Sequence, residues 1–289
     1  MPSLITKLLR GSFLRISNIV ITVIISFFMM PFVISSLGER WYGLWILAAS
    51  IVGYYGFLDF GLSGAVQKYI SRAFGKDDYE EVNIIFNTVF FLFIIASLLV
   101  IIISTIVVFL CPKFVSNPQN IDTFKIVIFL IGLDVAFSFS ARAFIGFLAS
   151  NIRHDVIELI DILKMLFRTA LIVIFLMRGF GIISLAVITL VVDCVQYITI
   201  TLFVLIRFSS LKLRIYYIRK EWIKELLGFS TFSFITMIAN RLRFYTDSFV
   251  ISGFLGLGFV THYNIGARVA IYYEKIVRTG MSITFPLFS

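Results

Sequence analysis

Towards the carboxyl-terminal end of the chain, Arg268, Lys275 and Arg278 fall within about 80° of one another on a helical wheel, with Glu274 beside them. Three cations against one carboxylate leave positive charge unmatched, the pattern of a surface that receives an anion. Further stripes recur at helical spacing. Arg15, Asn18, Thr22 and Ser26 share one face, Asp134, Ser138 and Arg142 another, Thr189, Asp193 and Gln196 a third, and Asn240, Arg243 and Asp247 a fourth. Asp161, Lys164 and Arg168 lie within about two turns. Of these, Asp134, Asp193 and Asp247 are the carboxylates placed to accept a proton or Na+. Asp59 stands apart, between glycine pairs in "GYYGFLDFGLSGAVQKYI", residues 53–70.

Enzyme chemistry finds no foothold in these spacings. His154 and His262 are far apart, Cys111 and Cys194 offer neither a disulfide framework nor metal spacing, and there is no phosphate-cradling glycine motif. The acidic "GKDDYEE" at 75–81 is the one segment that suits a divalent cation, as a membrane-bound glycosyl- or phosphotransferase would need. It follows Lys68, Arg72 and Lys76 on a connector, where Asp77 or Asp78 equally suits capping of the next helix. The expectation is a protein that is not an enzyme and holds no cofactor or metal.

The elements that carry these residues are set by composition: 60% of the 289 residues are hydrophobic and 14% charged, too apolar for an ordinary soluble domain. About eight stretches are long enough to cross a hydrocarbon core of roughly 30 Å. They lie near Phe13–Ser36, Tyr42–Val66, Ile84–Leu110, Phe124–Phe147, Val156–Met177, Ile182–Ile206, Phe229–Ser252 and Phe259–Phe285. The fold class is therefore all-α, a polytopic transmembrane helix bundle. The first stretch is too long for a signal-peptide core and no small-residue cleavage site follows it, so it reads as a retained helix. Ionised side chains facing lipid cost several kcal/mol, so the stripes should face each other or water. Pairs such as Asp161 with Lys164 or Arg168, and Arg243 with Asp247, are the structural reading. The cations of the last span exceed what pairing absorbs and suggest the wall of a hydrated cavity.

The net charge of +9 carries its information in its placement. Basic residues crowd the amino terminus and the even-numbered connections, above all Arg207, Lys212, Arg214, Arg219, Lys220 and Lys224, which puts both on the cytoplasmic side. These clusters are topology signals that touch anionic membrane lipid, not nucleic-acid sites. The polar interval at 207–225 divides a lobe at 1–206 from the first two helices of a second lobe at 226–289. A faint repeat spans it: "FVIS" at Phe32 recurs at Phe249, and Lys7, Leu9 and Gly11 recur as Lys224, Leu226 and Gly228. A restart after an even number of crossings predicts two lobes related by an axis along the membrane normal. The second lobe is then incomplete, the expectation for a fragment of a protein about half as long again on that two-lobed plan.

Three segments carry a family likeness. "LGERWYGLWILAASIVGYYGFLDFGLSGAVQKYISRAFGKDDYEEVN", residues 37–83, resembles the second-span signature of polysaccharide biosynthesis proteins, the Wzx-type flippases of the multidrug/oligosaccharidyl-lipid/polysaccharide (MOP) exporter superfamily. Residues 144–187 resemble that family's fourth-span exit and fifth span, and "NRLRFYTDSFVISGFLGLGFVTHYNIGARVA", residues 240–270, its seventh and eighth spans. The resemblance implies a MATE/MOP-like transporter in the bacterial inner membrane. It implies alternating access and an undecaprenyl-pyrophosphate-linked oligosaccharide as substrate, with polysaccharide polymerase and chain-length machinery as partners. The cationic cavity would fall to Arg15, Arg142, Arg243, Arg268, Lys275 and Arg278. The runner-up is a cation-coupled drug antiporter of the same superfamily. Asp59, Gly61 and Gly64 read as a structural motif, Asp59 satisfying a bend or pairing with a cation such as Arg15.

Overall fold

Backbone amides in hydrocarbon have no water to bond, so a chain this apolar must satisfy them internally, and helices do so segment by segment. The computed structural model describes the backbone of residues 4–110 and 118–284; side chains are described for 10–110 and 121–274, apart from 229–233, 237, 240, 241, 243, 244 and 272. Among the described residues there is no strand. The helices are α1 (Leu4–Leu37), α2 (Glu39–Gly53), α3 (Leu62–Phe74), α4 (Tyr79–Leu110), α5 (Pro118–Ser150), α6 (His154–Met177), α7 (Ile182–Arg207), α8 (Lys220–Phe254) and α9 (Leu257–Thr284).

Among the described residues five stretches are long and apolar enough to cross a membrane: Arg10–Leu37, Glu39–Phe74, Tyr79–Leu110, Ile121–Ser150 and Ile182–Arg207. The expected fifth span coincides with α6, whose 24 residues carry the charged Asp161, Lys164 and Arg168 within about two turns, which sets it apart from those five. The expected seventh and eighth spans coincide with α8 and α9, many of whose side chains lie outside the described residues. The connector expected at 207–225 ends sooner, because α8 already begins at Lys220 with Glu221 in its first turn, where the helix dipole favours a carboxylate.

Helix α5 is the hub of the first lobe, packed by α2, α3, α4 and α7, while α1 lies along α6. Phe86, Phe93, Phe139 and Phe147 are fully buried at its contacts, and Phe86 meets Phe144 and Phe147 edge to face at 5.1 and 5.8 Å. Outward faces repeat at helical spacing: Leu98, Ile102, Ile106 and Phe109 on α4, and Val191, Val195, Ile198 and Leu202 on α7. That register turns Asp193, Gln196, Ile200 and Val204 inward.

The second span is not one helix. After α2 the chain tightens into a 3-10 turn, Tyr54–Asp59, then passes through Phe60 (φ 49°) and Gly61 (φ 79°) before α3 starts. A left-handed residue with a side chain costs roughly 1–2 kcal/mol, so glycine at the second of two consecutive positions removes half of that load. A methyl group at Gly64, by contrast, would meet nothing within 4 Å, so no helix approaches closely there.

Helix α2 also carries the second lobe, packing against α8 and α9. A Cβ on Gly43 would sit 2.0 Å from the backbone oxygen of Leu257, so glycine is required for this approach; Thr261 Oγ1 donates to the Glu39 carbonyl at 2.7 Å beside it. The connector after α7 is strapped to α4. Asn83 Nδ2 donates to the Ser210 carbonyl (3.0 Å) and its Oδ1 accepts from Lys212 N (2.6 Å). Asn87 likewise spans the Lys212 carbonyl (2.8 Å) and Arg214 N (2.9 Å), and Thr88 Oγ1 accepts from Arg219 N (3.2 Å).

Candidate functional site

The polar stripes of the first lobe converge on its interior, and each cation there has a carboxylate. Arg142 of α5 reaches across to the elbow of the second span, where its Nη1 donates to Asp59 Oδ2 at 2.6 Å. Its guanidinium also lies 4.3 Å from the centre of the Phe139 ring. The partner of Asp59 is thus Arg142 and not Arg15, which is exposed on α1. Asp59 bonds Ser63 as well, accepting from its amide (3.1 Å) and its hydroxyl (2.6 Å), so one buried carboxylate caps α3 and anchors α5.

A second constellation joins α5, α6 and α7. Lys164 Nζ and Arg168 Nη1 lie 3.5 and 3.7 Å from Asp193 Oδ1, which takes no hydrogen bond of normal length. Asp161, expected beside those cations, instead accepts from Gln196 Nε2, and Tyr197 donates its hydroxyl to Asp134 Oδ1 at 3.3 Å. On the α1 side, Asn18 Nδ2 donates to Glu158 Oε2 at 2.6 Å, and the Thr22 hydroxyl lies 3.4 Å from Met165 Sδ. The lobe interior therefore sets Asp59, Asp134, Asp161 and Asp193 against Arg142, Lys164 and Arg168. Carboxylates exceed cations, and Asp134 has no ion pair among the described residues. A proton or a bound cation would balance the set.

Sequence spacing places these residues on inward faces but does not pair them, because an i, i+3 or i, i+4 rule describes one helix and these bonds run between helices. Tyr197 escaped notice as an aromatic in an apolar span. Its position four residues after Asp193, on the inward face of α7, is the signal that could have found it.

The second lobe is different in kind. Arg268 is partly buried, donates through Nε to Asn264 Oδ1 at 2.9 Å, and has no ion pair among the described residues. Asp247 accepts a hydrogen bond from Tyr263. The side chains of Arg243, Lys275 and Arg278 lie outside the described residues. Where the lobes meet, an apolar groove of about 380 Å³ opens between the span-two elbow, α4 and α8, walled by Leu58, Phe60, Leu99, Leu227 and Phe234.

The acidic connector is structurally occupied. Asp78 accepts from Glu81 N at 2.8 Å as the cap of α4, and Glu81 pairs with Arg72 at 3.0 Å. Among the described residues no group of three or more His, Cys, Asp or Glu is arranged to hold a metal.

No curated relative matches the sequence. The fold, however, is that of solved MOP superfamily transporters. One, from Pyrococcus furiosus, is described by the words "reverse polarity of binding pocket suggests different function"; the two superpose with a TM-score of 0.73 at 16% identity, over 96% of this chain and 63% of that one. A multidrug resistance MATE family transporter matches in its outward-facing conformation (TM-score 0.72, 17% identity, 92% of this chain and 60% of that chain). A multidrug resistance MATE family transporter in an inward-facing conformation matches as well (TM-score 0.67, 16% identity, 79% of this chain and 56% of that chain). The chain thus spans somewhat under two thirds of the length of these transporters. At the level of sequence, residues 8–289 match the family described as polysaccharide biosynthesis protein, and the chain belongs to that family.

Proposed function

We propose that the protein is part of a flippase that carries undecaprenyl-pyrophosphate-linked oligosaccharide repeat units, of O-antigen, capsule or exopolysaccharide, across the bacterial inner membrane by alternating access. Membership of the polysaccharide biosynthesis family over nearly the whole chain is the observation that carries this reading. The charge distribution supports it. Arg142 is matched by Asp59, so an anionic headgroup would be met chiefly by Arg15 and Arg268, which have no ion pair among the described residues, together with Arg243, Lys275 and Arg278 of the second-lobe sequence stripes. Arg suits a pyrophosphate because its fork donates two parallel hydrogen bonds. The apolar groove at the lobe junction offers a hydrocarbon-lined exit for the prenyl tail while the sugars stay in water.

The carboxylate surplus of the first lobe suits coupling to H+ or Na+ through Asp134 and Asp193, with Asp247 as the second-lobe counterpart. The same surplus favours the alternative, a cation-coupled drug antiporter, since drug cations need carboxylates.

The test replaces Arg268, Lys275 and Arg278 together by Gln in the complete cellular protein and scores surface polysaccharide and the leaflet in which the lipid-linked unit accumulates. Loss of display with inner-leaflet accumulation is expected. Normal display with all three neutralised refutes the cationic cavity. Asp77→Asn/Asp78→Asn serves as the enzyme control, since Asn caps a helix about as well as Asp and only the charge is lost; loss of product there would point to a transferase.

A further inference from the structure

At the end of the first lobe where α4 and α6 begin and α7 ends, four segments surround a cavity of about 460 Å³: the start of α1, the turn between α3 and α4, the turn before α6, and the end of α7 with its first connector residues. Arg10, Arg153 and Arg207 converge on it from three of those segments. Asp155 is the one carboxylate in the lining, and it is held by Arg153, whose Nε and Nη2 lie 3.0 and 3.4 Å from its two oxygens. Among the described residues neither Arg10 nor Arg207 has an ion-pair partner. The cavity therefore keeps two guanidinium charges unmatched.

Its walls are fixed before any ligand arrives. Asn83 grips the connector at Ser210 and Lys212, and Asn151 Nδ2 is tied to the Phe147 carbonyl at 3.0 Å. Arg153 is braced against Phe203, 5.5 Å from the ring centre. The Ser209 and Ser210 segment and the amino-terminal turn of α6 add neutral donors and the positive end of a helix dipole to the same space. Unmatched arginines and preset donors around a volume of this size are the requirements of a phosphate group, which takes bidentate bonds from guanidinium.

We infer that this cavity is a binding site for a phosphate-bearing anion, separate from the proposed transport cavity. The phosphate reaches it either from the bilayer, as the headgroup of an anionic phospholipid in the leaflet on that side, or from solution. Basic pockets between membrane helices are known to take lipid headgroups. The site does not depend on the transport reading, since its residues belong to the first lobe and the start of the connector that follows it.

Purified protein in a neutral maltoside detergent is titrated with inorganic phosphate, and separately with phosphatidylglycerol against phosphatidylcholine, following the unfolding midpoint and lipid retained in native mass spectrometry. The wild-type protein should be stabilised by phosphate, by phosphatidylglycerol or by both, and the effect should weaken as NaCl is raised. Arg10→Gln/Arg207→Gln should lower the apparent affinity at least tenfold, while Arg178→Gln at the other end of the lobe leaves it unchanged. Response to phosphatidylglycerol alone assigns the site to a lipid; response to both assigns it to phosphate as such. Should the double variant fold poorly, Ser209→Asp, which sets a carboxylate against the arginines, must abolish binding. Wild-type protein that responds to neither probe, or variants that bind as wild type does, overturn the inference.

Discussion

Asp59 and Arg142 form the contact on which the shape of the second span depends, and removing them one at a time should give unequal losses. Arg142→Gln strands a carboxylate that is only 8% exposed, whereas Asp59→Asn strands a guanidinium that is 28% exposed and can still reach water. Breaking a fully buried pair costs about 3–5 kcal/mol. With one partner partly wet, the loss should be about 2–3 kcal/mol for Arg142→Gln and about 1–2 kcal/mol for Asp59→Asn. The amide of Asn can still accept from the Ser63 N–H, so capping of α3 survives in Asp59→Asn but not in Asp59→Ala, which should lose about 1 kcal/mol more. The double variant Asp59→Asn/Arg142→Gln leaves no stranded charge and should be no less stable than Arg142→Gln alone. Equilibrium unfolding in mixed SDS micelles measures all four variants, with transport and folded yield followed in parallel. Losses that simply add in the double variant would show that the two residues do not act as a pair. Normal yield with abolished transport in Asp59→Asn would refute the structural role of Asp59 and make it a transport residue.

Other consequences follow from bonds that cross between helices. Asn83→Ala/Asn87→Ala removes four connector bonds and should release residues 208–214, seen as faster amide exchange and new protease cleavage there with little change in α4 itself. Unchanged protection of the connector would refute the strap. Asp193→Asn removes the common partner of Lys164 and Arg168 and should destabilise the lobe by about 2–4 kcal/mol, measured by the same unfolding assay. Asp193→Asn/Lys164→Gln, with one cation fewer, should recover part of that loss.

Membrane residence, helical class and the inward direction of the polar stripes of α5 and α7 were legible in the sequence because each depends on local composition and a period of 3.6 residues. Asp193 and Gln196 face inward on α7 as their spacing with Thr189 predicts, and the outward Val191, Val195, Ile198 and Leu202 follow from the same period. Partner choice was not legible. Lys164 and Arg168 sit three and seven residues after Asp161 yet turn to Asp193 on the next helix, because rotation of α6 against α7 decides which carboxylate lies within reach. The elbow was half visible: glycines around Asp59 signalled a break, but the left-handed Phe60 carries no sequence mark, and Gly64 turned out to face open space.

The pairing pattern divides the proposed labour between the lobes. Inside the first lobe, Arg142, Lys164 and Arg168 are each within ion-pair distance of an aspartate, and a charge so neutralised attracts a further anion weakly. What remains unbalanced there is carboxylate, which suits a proton or Na+ but repels pyrophosphate. Arg268, in the second lobe, has an asparagine for its partner, and a neutral amide leaves the full positive charge available. A transporter must bind its driving ion and its substrate without one permanently cancelling the other. Surplus carboxylate in the interior of the first lobe, and in the second an Arg268 with no ion pair among the described residues, meet that condition while the two lobes remain joined through the α2 contacts with α8 and α9. Neutralising Asp134 and neutralising Arg268 should then impair transport by different routes. Asp134→Asn should change its dependence on pH or Na+ with substrate retention intact, and Arg268→Gln should weaken retention of the lipid-linked substrate with the ion dependence intact. An identical phenotype for both would refute the division.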